Sequence, residues 1–168
     1  GYHSELVMLP GVTLRWERWG QRLRNSHLNH SSNVSIGLLI AAERAPVWQG
    51  VEVNTGQALV FGSVEQEYVS PEGMRSLNIE IARELLATWG LAAPAGGLVD
   101  VEPAAMRRLL AVCRQASALP PGDSTPANSR IAQVLRERIV ARLVEALGGV
   151  DPAAATDIRT ATQQRRFT

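Results

Sequence analysis

The stretch Leu77-Asn78-Ile79-Glu80-Ile81-Ala82-Arg83-Glu84-Leu85-Leu86 reads as a strand running directly into a helix, and it divides the chain in two. On its N-terminal side, short segments rich in Val, Ile, Leu and aromatic residues recur near 6–14, 33–41, 47–53, 57–62, 65–70 and 74–81, which is strand composition. Asn54-Thr55-Gly56 and Ser70-Pro71-Glu72-Gly73 carry hairpin-turn residues, since Gly accepts positive φ and Pro presets the bend. Many short strands at this spacing predict a small antiparallel barrel or sandwich.

From Ile81 onward the period becomes helical. A short helix over 82–89 is expected to end at Gly90, with Pro94 to Gly97 as a linker. Asp100 is placed to cap a second helix running to about Ala118. After the breaker Pro120-Pro121-Gly122-Asp123, a third helix is expected from Ala127 to Leu147. Its apolar positions are Ile131, Val134, Leu135, Ile139, Val140, Leu143, Val144 and Leu147. The polar tail 151–168 carries Arg159, Arg165 and Arg166 and buries little. The expectation is an α+β chain with a β domain over 1–93, a helical region over 98–149 and a linker over 150–168.

Composition narrows the function. With 45% apolar and 20% charged residues in 168, the chain has the make-up of an ordinary globular protein. No apolar run reaches 18 residues and the N-terminus lacks a signal-peptide pattern, so no membrane contact and a cytoplasmic site are expected. Cys113 is the only cysteine. It has no disulfide partner and sits in an apolar helical stretch, as a small buried hydrophobe would. The net charge of +1 does not suggest a direct nucleic-acid binder, yet every one of the 17 basic residues is arginine. Arginine offers a planar fork suited to phosphates and flat rings.

Catalytic signatures are missing. The histidines are His3, His27 and His30, and the last two are three apart, so on one strand they would face opposite ways. No His-x-His pair, G-x-S-x-G, Walker loop or G-x-G-x-x-G accompanies them. The chain is therefore expected not to be an enzyme and to use no metal or cofactor. A metal-dependent β-barrel enzyme is the alternative that this reasoning disfavours.

The densest chemistry is Leu14-Arg15-Trp16-Glu17-Arg18-Trp19-Gly20-Gln21-Arg22-Leu23-Arg24. On a strand Arg18, Arg22 and Arg24 would share a face; on a helix Arg18 and Arg22 would be neighbours. Adjacent guanidinium groups repel unless an anion bridges them. A phosphate held bidentately is a natural bridge, and indoles stack on flat rings. The segment thus suits an anionic, flat ligand. The remaining arginines, Arg107, Arg108, Arg130, Arg136, Arg138 and Arg142, read as solvated helix faces or the flanks of a dimer seam, with Val134, Leu135 and Leu143 as seam candidates.

Strands followed by amphipathic helices and a basic tail resemble the sensor region of AraC-type transcription regulators. The residues carrying this are 77–86, the helix from Arg130 to Leu147, and Asp157-Ile158-Arg159 through Arg165-Arg166-Phe167. The resemblance implies a cupin-like jelly-roll barrel that binds a small effector, and a homodimer formed through the helix 127–147. It also implies DNA binding through a C-terminal domain outside this sequence. Sensors of this type can also take sugars, for which Trp48 is a candidate contact.

A second resemblance is local. Arg18-Trp19-Gly20-Gln21-Arg22 is similar to the R-x-x-x-R signature of PilZ domains, and Asn33-Val34-Ser35-Ile36-Gly37 to their [D/N]-x-S-x-x-G, with the glycine one residue early. Carried over by position, Arg18 and Arg22 would hold the phosphates and guanines of cyclic di-GMP, and Asn33 and Ser35 would face them. Together the two resemblances point to AraC-like activators that respond to cyclic di-GMP and control exopolysaccharide genes. The expected ligand contacts are Arg15, Arg18, Trp19, Arg22, Arg24, Asn33 and Ser35.

Overall fold

The computed structural model describes residues 1–27, 32–62, 65–91, 96–120 and 126–148. The tail read as a linker lies outside them, as does His30. The chain is mixed α+β, with antiparallel strands in two sheets and three helices among the described residues.

Strands β1 (His3–Leu9) and β2 (Val12–Arg18) form a hairpin in perfect register from His3↔Arg18 to Leu9↔Val12. The sequence reading took 6–14 as one strand. Pro10-Gly11 breaks it, Pro fixing φ and Gly11 taking φ of 74°. Next come β3 (Leu23–His27), β4 (Asn33–Ala41), β5 (Val47–Trp48) and β6 (Val51–Glu52). The expected strand over 47–53 is thus a tight hairpin, turned by Gln49 and Gly50, both at positive φ. Strands β7 (Gln57–Phe61), β8 (Gln66–Ser70) and β9 (Arg75–Ala82) follow, and β9 runs into α1 (Arg83–Thr88) as its sequence suggests.

Between α1 and the next helix lies β10 (Gly97–Asp100), which pairs with β7. This replaces the expected linker and cap. Asp100 accepts a hydrogen bond from Gln57 instead, and Glu102 caps α2 (Pro103–Ser117) by accepting from the Ala104 and Ala105 N–H groups. Those two bonds hold the Glu102 carboxyl below the usual carboxylate range. Helix α3 (Pro126–Ala146) lies within a residue of its expected bounds.

The six-stranded sheet has the order β1-β2-β9-β4-β7-β10, and the four-stranded sheet β3-β8-β5-β6. Each ladder ends at free edges, so the expected closed barrel is not formed among the described residues. The reason lies in the crossovers. Residues 19–22 carry the chain from β2 in one sheet to β3 in the other without strand pairing. Two backbone hydrogen bonds tie them, from the Trp19 N–H to the Met74 carbonyl and from the Gly73 N–H to the Trp19 carbonyl.

Register assigns the two faces of the large sheet. Val12, Leu14, Trp16, Leu77, Ile79, Ile81, Val34, Ile36, Leu38, Ala58 and Val60 share one face. It packs on Leu109, Val112, Cys113, Ile139, Val140 and Leu143 of α2 and α3 as one continuous core. Trp16 donates its indole N–H to Ser117 Oγ at 2.7 Å, pinning the end of α2 to β2. Burial pushes the Cys113 thiol up to about 12, so it stays an unionised packing group.

Candidate functional site

The opposite face of the same sheet is mixed: Leu39, Leu59 and Phe61 are apolar, and β2 and β9 carry polar rows. Thr13, Arg15 and Glu17 of β2 stand in register with Glu80, Asn78 and Ser76 of β9, and Ser35 and Gly37 of β4 continue the rows. A cavity of about 230 Å³ lies between this face and the small sheet. Its floor is Arg15, Glu17, Ser76 and Asn78; its walls include Trp19, Phe61, Tyr68 and Met74.

The floor is wired together. Ser35 Oγ donates to Asn78 Oδ1 at 3.4 Å, and Asn78 in turn hydrogen-bonds the Glu17 carboxylate, as does Tyr2. Burial raises the Glu17 pKa above its ordinary value. The charge of Arg15 and the hydrogen bonds from Asn78 and Tyr2 oppose that shift without cancelling it. Burial, and then the charge of Glu17, also push the Tyr68 hydroxyl up, so it stays protonated and meets Met74 Sδ at 3.6 Å.

At the rim, Tyr2 packs on Trp19 with ring centroids 4.9 Å apart at 55°. The backbone of Gly1 fills the space beside Gly20, where an added Cβ would clash with the Gly1 carbonyl oxygen. The indole N–H of Trp19 is buried and has no partner among the described residues. Buried donors are rarely left so. By contrast, Trp48 deeper between the sheets donates to Gln66 at 3.3 Å.

The seven residues expected to bind ligand divide between places. Arg15 and Trp19 line the cavity. Arg18 ends β2 on the helix-side face, opposite Arg75. Because β2 stops at Arg18 and β3 starts at Leu23, Arg18, Arg22 and Arg24 do not share one strand face. Arg22 lines a separate groove of about 620 Å³ with Arg44, Val47, Val69 and Glu72. Arg24 is ion-paired to Glu67 at 2.7 Å on the outer side of the small sheet.

Asn33 and Ser35 lie on the cavity-side face, and Ser35 is buried there. The Ser35 row meets β2 at Thr13, five residues from Arg18 and hence about 17 Å along the strand at 3.3 Å per residue. The two halves of the PilZ-like signature are therefore close in sequence and apart in space. Residues the sequence reading did not single out, Tyr2, Ser76, Asn78, Phe61 and Tyr68, complete the cavity.

Among the described residues, no three metal-ligating side chains cluster. No described helix is long and apolar enough to cross a membrane. On α3, Ile131 and Val134 are exposed, each at 46%, whereas Leu135 and Leu143 are buried within the chain and cannot form a seam.

No protein-family profile and no curated protein matches the sequence. Among solved structures, that of the AraC-like transcriptional activator CuxR is similar, with a TM-score of 0.58 at 13% identity. The match covers 85% of this chain and 55% of that one, so the chain spans about half of that activator's length. The chain thus has a fold seen in part of an AraC-like regulator.

Proposed function

We propose that this chain is the effector-sensing part of an AraC-like transcription regulator. We further propose that the effector enters the cavity between the sheets, and that it combines a flat ring with an anionic group. The carrying observation is the unpartnered indole N–H of Trp19 in a cavity that Arg15 also lines. An acceptor on the ring satisfies the first, an anion the second, and Tyr68 and Phe61 supply apolar walls.

Cyclic di-GMP is the candidate with both features. At about 230 Å³ the cavity is smaller than the roughly 300–1,000 Å³ typical of small-molecule sites, so it takes one base and leaves the phosphates at its mouth, within reach of Arg15. In the whole protein, occupancy acts on a DNA-reading domain if the ligand favours one arrangement of the parts over another. A second copy meets the chain through Ile131 and Val134 of α3. No chemistry is assigned to the site.

Calorimetric titration with cyclic di-GMP tests this. Binding is expected in the unaltered chain, at least tenfold weaker in Arg15→Ala, and little changed in Arg18→Ala and Arg24→Ala, whose side chains lie outside the cavity. Equal binding by all four proteins would remove cyclic di-GMP from the cavity. Sedimentation of Ile131→Asp/Val134→Asp tests the second copy, with a smaller mass than the unaltered chain expected.

A further inference from the structure

We propose that His3, Arg18 and Arg75 form a second anion site, for a phosphate-bearing small molecule, on the helix-side rim of the large sheet. The register carries it. His3 stands directly opposite Arg18 on β1 and β2, and Arg18 directly opposite Arg75 on β2 and β9. Three basic side chains therefore share one row and one face of three adjacent strands, with Cβ atoms about 4.5–5.5 Å apart across each pair. All three are exposed.

Two guanidinium groups directly opposite one another repel, and such pairs lower sheet stability. Other arginines of this chain are neutralised. Arg24, Arg108, Arg136 and Arg142 each make an ion pair with a glutamate. Neither Arg18 nor Arg75 pairs with any described acid. The acids nearby are engaged or misplaced. Glu17 is on the other face, bound to Asn78 and Tyr2, and Glu72 lines the groove of Arg22. Glu5 shares the face, two residues along β1, without forming an ion pair with either arginine.

One row inward, Trp16 is pinned to Ser117, so the helices close over the inner rows and leave this one at the rim. Two forks and an imidazole match a phosphate or pyrophosphate group, which accepts bidentate bonds from each fork. A bound anion would also join the end of β2 to the start of β9, beside the Trp19–Met74 hydrogen bond at the cavity wall. The site lies on the face opposite the cavity and stands without the cyclic di-GMP reading, because its anchor is Arg75 and its probe need carry no base.

The test is thermal unfolding in sodium pyrophosphate at about 10 mM against sodium chloride of equal ionic strength. Pyrophosphate is expected to raise Tm by about 3 °C over the chloride control. In Arg75→Gln most of that gain disappears. In Arg75→Lys, which keeps the charge and loses the fork, less than half remains. Arg75→Gln is also expected to match or exceed the unaltered chain in Tm without the anion, which separates loss of binding from loss of fold. A gain equal in chloride, a gain undiminished in Arg75→Gln, or a response to duplex DNA with none to pyrophosphate overturns the proposal. Cyclic di-GMP binding that fails while the pyrophosphate effect persists overturns only the former reading.

Discussion

The two faces of the six-stranded sheet are built by the same strands and do opposite things. In β9, Leu77, Ile79 and Ile81 point to the helices and are fully buried. Ser76, Asn78 and Glu80 alternate with them and point to the other sheet. The helix-side face buys the fold, through one apolar core shared with α2 and α3. The cavity-side face packs only a smaller apolar cluster, Leu59 and Phe61 with Trp48 and Val53, and carries interlinked polar groups beside it.

Substitutions along β9 should break this contrast if it is wrong. Ile79→Ala, on the helix side, is expected to cost about 2–5 kcal/mol in urea unfolding, because it leaves a hole in a close-packed core. Its neighbour Asn78→Ala, on the cavity side, should cost about 1 kcal/mol, the worth of its hydrogen bonds to Ser35 and Glu17. Equal costs at the two positions would mean that the faces are not divided as described.

Glu17→Gln sharpens the same contrast through pH. The folded carboxyl has a raised pKa, so the unfolded chain binds fewer protons than the folded one between the two values. Any stability from this group is therefore present below the unfolded pKa and lost as pH rises through the folded pKa. Measured as Tm, the glutamine variant should gain on the unaltered chain between pH 4 and pH 7. A gain in the opposite direction would place Glu17 in a charge-stabilising environment. The smallest effect is expected from Arg24→Ala, whose ion pair with Glu67 is exposed on the outer side of the small sheet. Its unfolding midpoint should stay within experimental error.

Much of this division was legible in the sequence. The change of period at Ile81 located β9 and α1, and paired apolar positions located α3. Two kinds of feature were not legible. Short hairpins at Pro10-Gly11 and Gln49-Gly50 merged into single strands, because their flanks are mostly apolar or aromatic. Strand β10 was hidden because Gly97-Leu98-Val99-Asp100 is too short to show alternation, and its strand state comes from pairing with β7.

The candidate site was half visible. Arg15 and Trp19 stood out by density of charge and aromatic rings. The spacing of Arg18 and Arg22 misled, because the chain leaves one sheet and enters the other between them. Asn78 and Ser76 could have been found as polar residues alternating within an apolar strand. Tyr2, Phe61 and Tyr68 join the cavity only through tertiary contacts, which no local pattern carries. Arg75 becomes notable only once register sets it opposite Arg18.

The most direct test uses the two indoles that face each other's circumstances, Trp19 without a partner and Trp48 bonded to Gln66. With ¹⁵N-labelled tryptophan, cyclic di-GMP is titrated while both indole N–H resonances are followed. A saturable shift of the Trp19 resonance is expected, with Trp48 much less affected and the shift abolished in Arg15→Ala. A Trp19 resonance that stays in place at saturating dinucleotide, or that moves equally in Arg15→Ala, would contradict the assignment of the cavity as the effector site.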